Sequence, residues 1–499
     1  MDQQAAATIS KPYSRPVRSG GLSPVLGVGL FVLLAAIVAG YYALLLTSGH
    51  FDLFHPVPRG MVFNSMMEHM LQGRFDVDPD AVGYEAFLRD GRTYAYWGVF
   101  CALLRLPLMF APGWRTVDVT VLSSLIAILL AVWFKLRALY FLLQRAPDGA
   151  GTRFLGILVG LAILFSGAQI SFMRLSLYQE VCFWGAAFGA GFMLAALRGL
   201  LEDRFPLSRL CWMALLAGLA LNTRVTCGIN LYGALGLLVA ALAFRSQPSS
   251  ARLRLIAPLA VLGLFAVLTG VVNYGRWGNP FTFANYYIYA LNLEPAHADN
   301  LARMDKFGLF SLERIPYGLI YYFFPIWALP SAQAPYQLLE PLKRLFDFYE
   351  LPPSHFALTD PLLVGLFGWF LWRLVRGRAH VASPLATTAV LIGLTIGCIM
   401  LLSPPAMCYR YRMDFYPLLE LGAFLGLNVA LQEYGATRLG LGRRIALASV
   451  VAFGVIFSHG IMAVYKVTPG GAGWVVFPQG AVPGYRALLR GETPSQRSL

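Results

Sequence analysis

Long apolar runs broken by short polar stretches recur along almost the whole chain. A helix needs about 20 apolar residues to cross the hydrocarbon of a bilayer. On that criterion the pattern predicts eleven spans, at 24–47, 117–138, 155–172, 177–199, 208–222, 225–244, 252–273, 357–376, 384–403, 414–432 and 445–465. Only Asn222-Thr223-Arg224 separates the fifth from the sixth, so these two should form a tight helical hairpin. The first span is too long for a cleavable signal segment and has no small-residue cleavage site, which makes it a retained anchor.

Charge gives the orientation. Lys11, Arg15 and Arg18 precede the first span, and alternate connections carry Lys135/Arg137/Arg145/Arg153, Arg198/Arg204/Arg209, Arg245/Arg252/Arg254, Arg373/Arg376/Arg378 and Arg438/Arg443/Arg444. With eleven spans all of these fall on one side, which the positive-inside bias makes cytoplasmic. The N-terminus is then inside and the C-terminus outside. Two marginal segments, 96–111 with Arg105 and Pro107 and 315–330 after Glu313-Arg314, would invert this register if either crossed alone; both are read as re-entrant or interface-parallel helices.

The predicted fold is therefore an all-α polytopic membrane protein with interfacial helices in two long outer loops. Its parts are a cytoplasmic tail 1–23, a transmembrane domain 24–465 with outer loops 48–116 and 274–356, and an outer tail 466–499. Residues 59–72 of the first loop read as one amphipathic helix, with Val62, Phe63, Met66, Met67 and Met70 on one side and Asn64, Glu68 and Gln72 on the other. It should lie either in the headgroup plane or on top of the bundle.

Composition agrees. The chain is 58% hydrophobic and 13% charged, against about 45–50% and 25% in ordinary globular proteins. The net charge of +14, from 39 Lys+Arg and 25 Asp+Glu, is spread over the short connections rather than gathered on one face, so it reports topology and gives no nucleic-acid partner. Cys182, Cys211, Cys227 and Cys398 lie in apolar segments, while Cys101 and Cys408 fall on the outer side, where a disulfide between them stays open; no Cys/His metal-ligand spacing occurs.

Charged groups at span edges are costly and therefore candidates for function. Asp52 follows the first span, where the head of a lipid-borne substrate would meet protein. Asp76, Asp78 and Asp80 alternate after the amphipathic helix, able to activate a hydroxyl or to recruit Mg²⁺ or Mn²⁺. Arg174, Tyr178 and Glu180 flank the third-to-fourth turn, and Arg174 is the expected partner of Glu180. Arg224 at the hairpin tip joins Arg410, Arg412 and Asp414 in an outer ring suited to gripping phosphate. Each has a bland alternative, a solvated loop acid or an arginine snorkelling to headgroups. No Walker A, GxSxG, HExxH or kinase set is present, and Gly275-Arg276-Trp277-Gly278 lacks the spacing of a dinucleotide loop.

In five places the chain resembles the GT-C class of membrane glycosyltransferases. These are the first span with its acid-bearing outer loop, Tyr94-Ala95-Tyr96-Trp97 before a Leu/Pro-rich segment, Leu221-Asn222-Thr223-Arg224, Asn279-Pro280-Phe281 after the seventh span, and Arg410-Tyr411-Arg412-Met413-Asp414-Phe415. Asp52 stands alone where the class often has an acidic pair. The resemblance implies transfer of a sugar from a polyprenyl-phosphate donor to a lipid, glycan or protein acceptor hydroxyl on the outer face of the cytoplasmic membrane, with inversion. Asp52 would be the general base, Asp76 or Asp78 the reserve, and Arg224, Arg410 and Arg412 the stabilisers of the departing phosphate; Tyr94, Tyr96 and Trp97 would stack on sugars. The rival readings are a lipid-linked oligosaccharide flippase, which usually carries charge near the midplane, and an oligosaccharide polymerase or ligase. The predicted midplane stretches read as almost wholly apolar.

Overall fold

The apolar runs fold as helices because in lipid every backbone N–H and C=O must be satisfied within its own segment. A computed structural model describes residues 24–245, 253–324, 344–349 and 355–467. The predicted tails at 1–23 and beyond 467, Arg252, and the loop stretches 325–343 and 350–354 lie outside the described residues.

In chain order the helices are α1 (Pro24–Leu46), α2 (Val62–Leu71), α3 (Thr120–Arg145), α4 (Ala150–Phe165), α5 (Leu177–Glu202), α6 (Leu207–Leu221) and α7 (Val225–Arg245). There follow α8 (Ile256–Trp277), α9 (Ala298–Phe307), α10 (Ile315–Phe323), α11 (Pro361–Val375), α12 (Pro384–Met400), α13 (Tyr416–Tyr434) and α14 (Leu441–Val467). All but α2, α9 and α10 coincide with predicted spans. Among the described residues seven helices are long and apolar enough to cross a membrane, and Val32–Leu46 of α1, α6, α11 and α12 are shorter apolar helices. The chain is a polytopic, all-α membrane protein.

Contacts between helix ends define two faces of the bundle. At one face Arg145 meets Leu201 O (3.2 Å), Arg245 meets Asp203 (3.0 Å), Arg373 pairs with Glu433, and Thr152 N donates to Gly435 O (3.0 Å). At the other, Lys466 reaches Leu45 O and Ser48 near the end of α1, Gln179 meets Tyr465 (2.8 Å), and Arg224 meets Asp414 (2.6 Å). The short basic connections share the first face, called here the short-loop end, and both long loops share the long-loop end.

Helices α5 and α13 form the centre, 94% buried over their apolar windows, whereas α8 and α14 are peripheral at 22%. Small residues in α5 admit close neighbours: a Cβ on Gly189 would stand 2.8 Å from Pro417, and one on Gly191 3.0 Å from Phe134. Backbone touches backbone between α7 and α12, where a Cβ on Gly393 would lie 2.3 Å from Ala234 Cα.

One cation departs from its expected place. Lys135 is no loop residue: α3 continues to Arg145, and Lys135 is 3% exposed and paired with Glu420 inside the bundle. Asp360, also buried, accepts from Tyr416 (2.7 Å) and Thr359 (2.7 Å) in the same region. The spans are therefore not apolar throughout.

The first loop is built on the bundle. The α2 helix buries Val62, Phe63, Met66 and Met67 and also Asn64, Ser65 and His69, so it packs on top of the helices rather than lying in a headgroup plane. A hairpin of β1 (Phe87–Arg89) and β2 (Arg92–Tyr94) turns at Asp90-Gly91, both with positive φ, as a two-residue hairpin turn requires. Segment 96–111 forms only short helical turns and α10 only nine residues, so neither described segment crosses. The six cysteines are free, Cys101 and Cys408 both buried.

Candidate functional site

The long-loop end gathers charge and aromatic rings around the start of α5. Ser176 caps that helix, its hydroxyl accepting from Tyr178 N (3.0 Å), which fixes Tyr178 and Glu180 at its rim. Tyr178 donates to Glu85 of the first loop, and Tyr289 of the second loop donates to the other oxygen of Glu85 (2.9 Å). The loops are joined here as backbone too, through a Phe87–Tyr289 bridge and Ala290 N donating to Ala86 O (2.8 Å). Arg410 lies over the Tyr178 ring, 4.2 Å from its centroid, and Arg59 lies 4.5 Å over Tyr84 and 5.9 Å from Tyr178. Arg224 stands 5.1 Å from the Tyr411 ring.

Glycines set this geometry. A Cβ on Gly98 would sit 2.1 Å from Asn222 O, so the loop at Trp97 rests directly on the hairpin tip, where Phe100 N donates to Asn222 O (2.9 Å). At Gly60 a Cβ would meet Asp118 Oδ2 at 1.8 Å. The Asp118 carboxylate there accepts from Val57 N (2.8 Å) and Thr120 N (2.9 Å), tying the first loop to the head of α3. Its neighbour Arg59 adopts φ +63°, a left-handed conformation uncommon for a residue with a side chain.

Burial raises the phenol of Tyr96, with Tyr178 and Glu85 adding to it, and pushes Tyr286 up to about 12. Tyr289 is raised by burial and by Glu85. These hydroxyls remain donors at neutral pH. Burial opposes the charge on Arg59, but Tyr178, Tyr84 and Glu85 more than offset it, and the guanidinium is held above its ordinary value.

The predicted residues sort into three groups. Tyr178, Arg410, Arg224 and half-buried Tyr96, which stacks on Trp97 at 4.6 Å, face this region. Four others do not line an open site. Glu180 is fully buried and bound to both terminal nitrogens of Arg105, not to Arg174, whose guanidinium lies over Tyr465 at 5.3 Å. Arg412 is fully buried among Phe356 (4.1 Å), Tyr409 and Phe172. Tyr94 is buried in a cluster with Phe87 and Trp277. The last group is the acids: Asp52 is about half exposed and engages its own loop, accepting from Phe54 N (3.1 Å) with His55 at 3.5 Å. Asp76 and Asp78 stand at opposite ring nitrogens of His69, at 3.4 and 3.3 Å, and Asp78 also accepts from Ser65 (2.7 Å). They do not converge on one point, and among the described residues no group of three His, Cys, Asp or Glu could hold a metal ion.

Arg59, Glu85, Arg105 and Tyr289 were not singled out by the sequence. Glu85 had a signal in retrospect, as an acid beside a tyrosine just ahead of a readable Asp-Gly hairpin.

No family model and no curated protein matches the chain. Among solved structures it is similar to the oligosaccharyltransferase AglB from Archaeoglobus fulgidus in complex with an inhibitory peptide and a dolichol-phosphate, with TM-score 0.49 and 13% identity over 90% of this chain and 57% of that one. The apo oligosaccharyltransferase of the same organism gives TM-score 0.48 and 13% identity, over 89% and 56%. ArnT from Cupriavidus metallidurans bound to undecaprenyl phosphate gives 0.45 and 16%, over 94% and 70%. The chain spans a little over half the length of the archaeal oligosaccharyltransferases it matches.

Proposed function

We propose that the protein is an integral membrane glycosyltransferase that moves a sugar from a polyprenyl-phosphate donor to an acceptor hydroxyl at the outer face of the cytoplasmic membrane. The observation that carries this reading is the set of guanidiniums at the long-loop end, Arg410 over Tyr178 with Arg59 and Arg224 nearby, each backed by an aromatic ring. A phosphate leaving group gains negative charge as the glycosidic bond breaks, and fixed cations in a partly dehydrated site stabilise that charge most where it develops. Arg410, half-buried with its ring partner held by Glu85, is the first candidate for this role.

Proton removal falls to Asp52 in this reading. Its carboxylate is half exposed beside the first span, open to an acceptor hydroxyl arriving from the outer side. General-base help contributes typically about 10²–10⁴ in rate, and direct attack inverts the anomeric carbon. The acceptor oxygen bonds to that carbon, its proton passes to Asp52, and the electron pair of the broken bond leaves on the lipid phosphate. Buried Asp76 and Ser65-bound Asp78 suit the role less well.

The test is transfer of radiolabelled sugar from a panel of polyprenyl-phosphate donors by membranes carrying wild type, Arg410→Ala or Asp52→Asn. Transfer by wild type with loss in both variants supports the reading. A lipid-linked oligosaccharide transporter is the second reading, favoured by the charges that Lys135, Glu420 and Asp360 place inside the bundle; it gives no transfer from any donor.

A further inference from the structure

At the short-loop end, far from the long loops, three arginines, Arg137, Arg145 and Arg198, stand near one acid, Glu202. On α3 the residues Trp133, Arg137, Phe141 and Arg145 follow at intervals of four, so they form one stripe of the helix. Arg198 of α5 enters from the facing helix. Its guanidinium and that of Arg145 both lie against the Phe141 ring, at 5.2 and 5.5 Å, while Arg137 lies 5.9 Å over Trp133. Arg198 feels the positive charge of Arg137, the opposing negative charge of Glu202 and, more weakly, the positive charge of Arg209.

The acid side of the balance is thin. Glu202 is engaged by Arg209 at 2.8 Å, and among the described residues no carboxylate lies within ion-pair distance of Arg137, Arg145 or Arg198. Arg145 spends one nitrogen on Leu201 O (3.2 Å), capping the end of α5, and the Nε of Arg198 is buried without a hydrogen-bond partner. Arg137 and Arg145 are exposed, so their forks are accessible. Two guanidiniums against one buried ring, with a third beside Trp133, leave a net positive patch that an anion would neutralise.

Position says which anion. Trp133 and Tyr140 on the same stretch of α3 are 46% and 54% exposed, in a chain whose exposed aromatics at span ends meet the lipid interface. We propose that this arginine patch binds the phosphate of an anionic phospholipid in the leaflet at the short-loop end, with Arg137 and Arg198 gripping the phosphate and Trp133 and Tyr140 lying along the glycerol and upper acyl region. The inference does not depend on the transferase reading.

The test is native mass spectrometry of the detergent-solubilised, delipidated full chain titrated with phosphatidylglycerol or phosphatidylcholine. Wild type should retain phosphatidylglycerol in preference to phosphatidylcholine. Each near-surface cation contributes about fivefold to the attraction of anionic lipid, so Arg198→Gln should lose about fivefold and the Arg137→Gln/Arg198→Gln pair about twenty-five-fold. Arg245→Gln, which removes a cation already paired with Asp203 at the same end, should leave lipid retention unchanged. Millimolar inorganic phosphate should not displace the lipid; displacement would reassign the patch to a soluble phosphate and overturn the lipid proposal. Equal retention of phosphatidylglycerol by wild type and Arg198→Gln, with both eluting as folded protein, would also overturn it.

Discussion

Replacing Glu180 with Ala should leave Arg105 as an unpaired cation inside the bundle. The pair is fully buried on both sides, and Arg105 adds only Cys101 O (3.1 Å) and a longer contact to Thr120 (3.3 Å). Breaking a buried pair by removing one partner costs about 3–5 kcal/mol, while replacing both by apolar residues of similar volume is often neutral or stabilising. At 1.4 kcal/mol per tenfold, the single variant shifts the folded-to-unfolded ratio by roughly 10²–10³ or more. The assay is thermal aggregation followed by size-exclusion chromatography for Glu180→Ala, Arg105→Met and the Arg105→Met/Glu180→Leu pair. Both singles should fall well below wild type, and the pair should recover most of the loss. Should Glu180→Ala keep full thermostability yet lose sugar transfer, the structural assignment of Glu180 is refuted and the residue returns to the substrate.

Lys135→Met should cost a similar amount for the same reason, with Lys135→Met/Glu420→Leu recovering stability in the same assay. Gly98→Ala forces a methyl against Asn222 O at 2.1 Å; overpacking typically costs about 1–3 kcal/mol, and thermostability should drop with it, whereas Gly460→Ala, with open space around the new methyl, should not. Tyr178→Phe keeps the ring beneath Arg410 but removes the bond to Glu85, so it should lower transfer less than Tyr178→Ala does; equal loss in the two would mean the ring contact is irrelevant. Burial, and next to it Arg412, lowers His355 below its ordinary value of 6.5. The folded state thus prefers the neutral ring: this contribution to stability is complete above pH 6.5 and is lost as pH falls through the lowered folded value. His355→Gln should flatten that acid limb in a thermal-stability profile.

The spans were legible because an apolar run of membrane length has few other uses, and the parity of the basic connections was legible because each error would move several cations at once. Lys135 shows where that reasoning failed. Two further helical turns follow it before Arg145, and nothing in the local sequence separates a buried lysine from a loop lysine; only Glu420, on a distant helix, does. Glu180 failed likewise. Its partner Arg105 is 75 residues away, whereas Arg174 is near only in sequence. Positions 178, 224 and 410 are marked by their place at span ends, whereas Glu85 and Tyr289, which join two loops, carry no periodic signal. Asp90-Gly91 is a dipeptide that favours a hairpin turn, a signal the all-helical reading of the loop passed over. Arg59 reads as the first residue of a helix that in fact begins at Val62, and its left-handed backbone turns it toward Tyr84 instead.

The most direct test of the central claim is sugar transfer from polyprenyl-phosphate donors by purified protein in liposomes, wild type against Arg410→Ala. The account predicts transfer by wild type and a loss of at least about 10² in rate for the variant, the scale seen when one transition-state charge stabiliser is removed. Folded wild type that transfers from no donor, or an Arg410→Ala variant with undiminished rate, would contradict it.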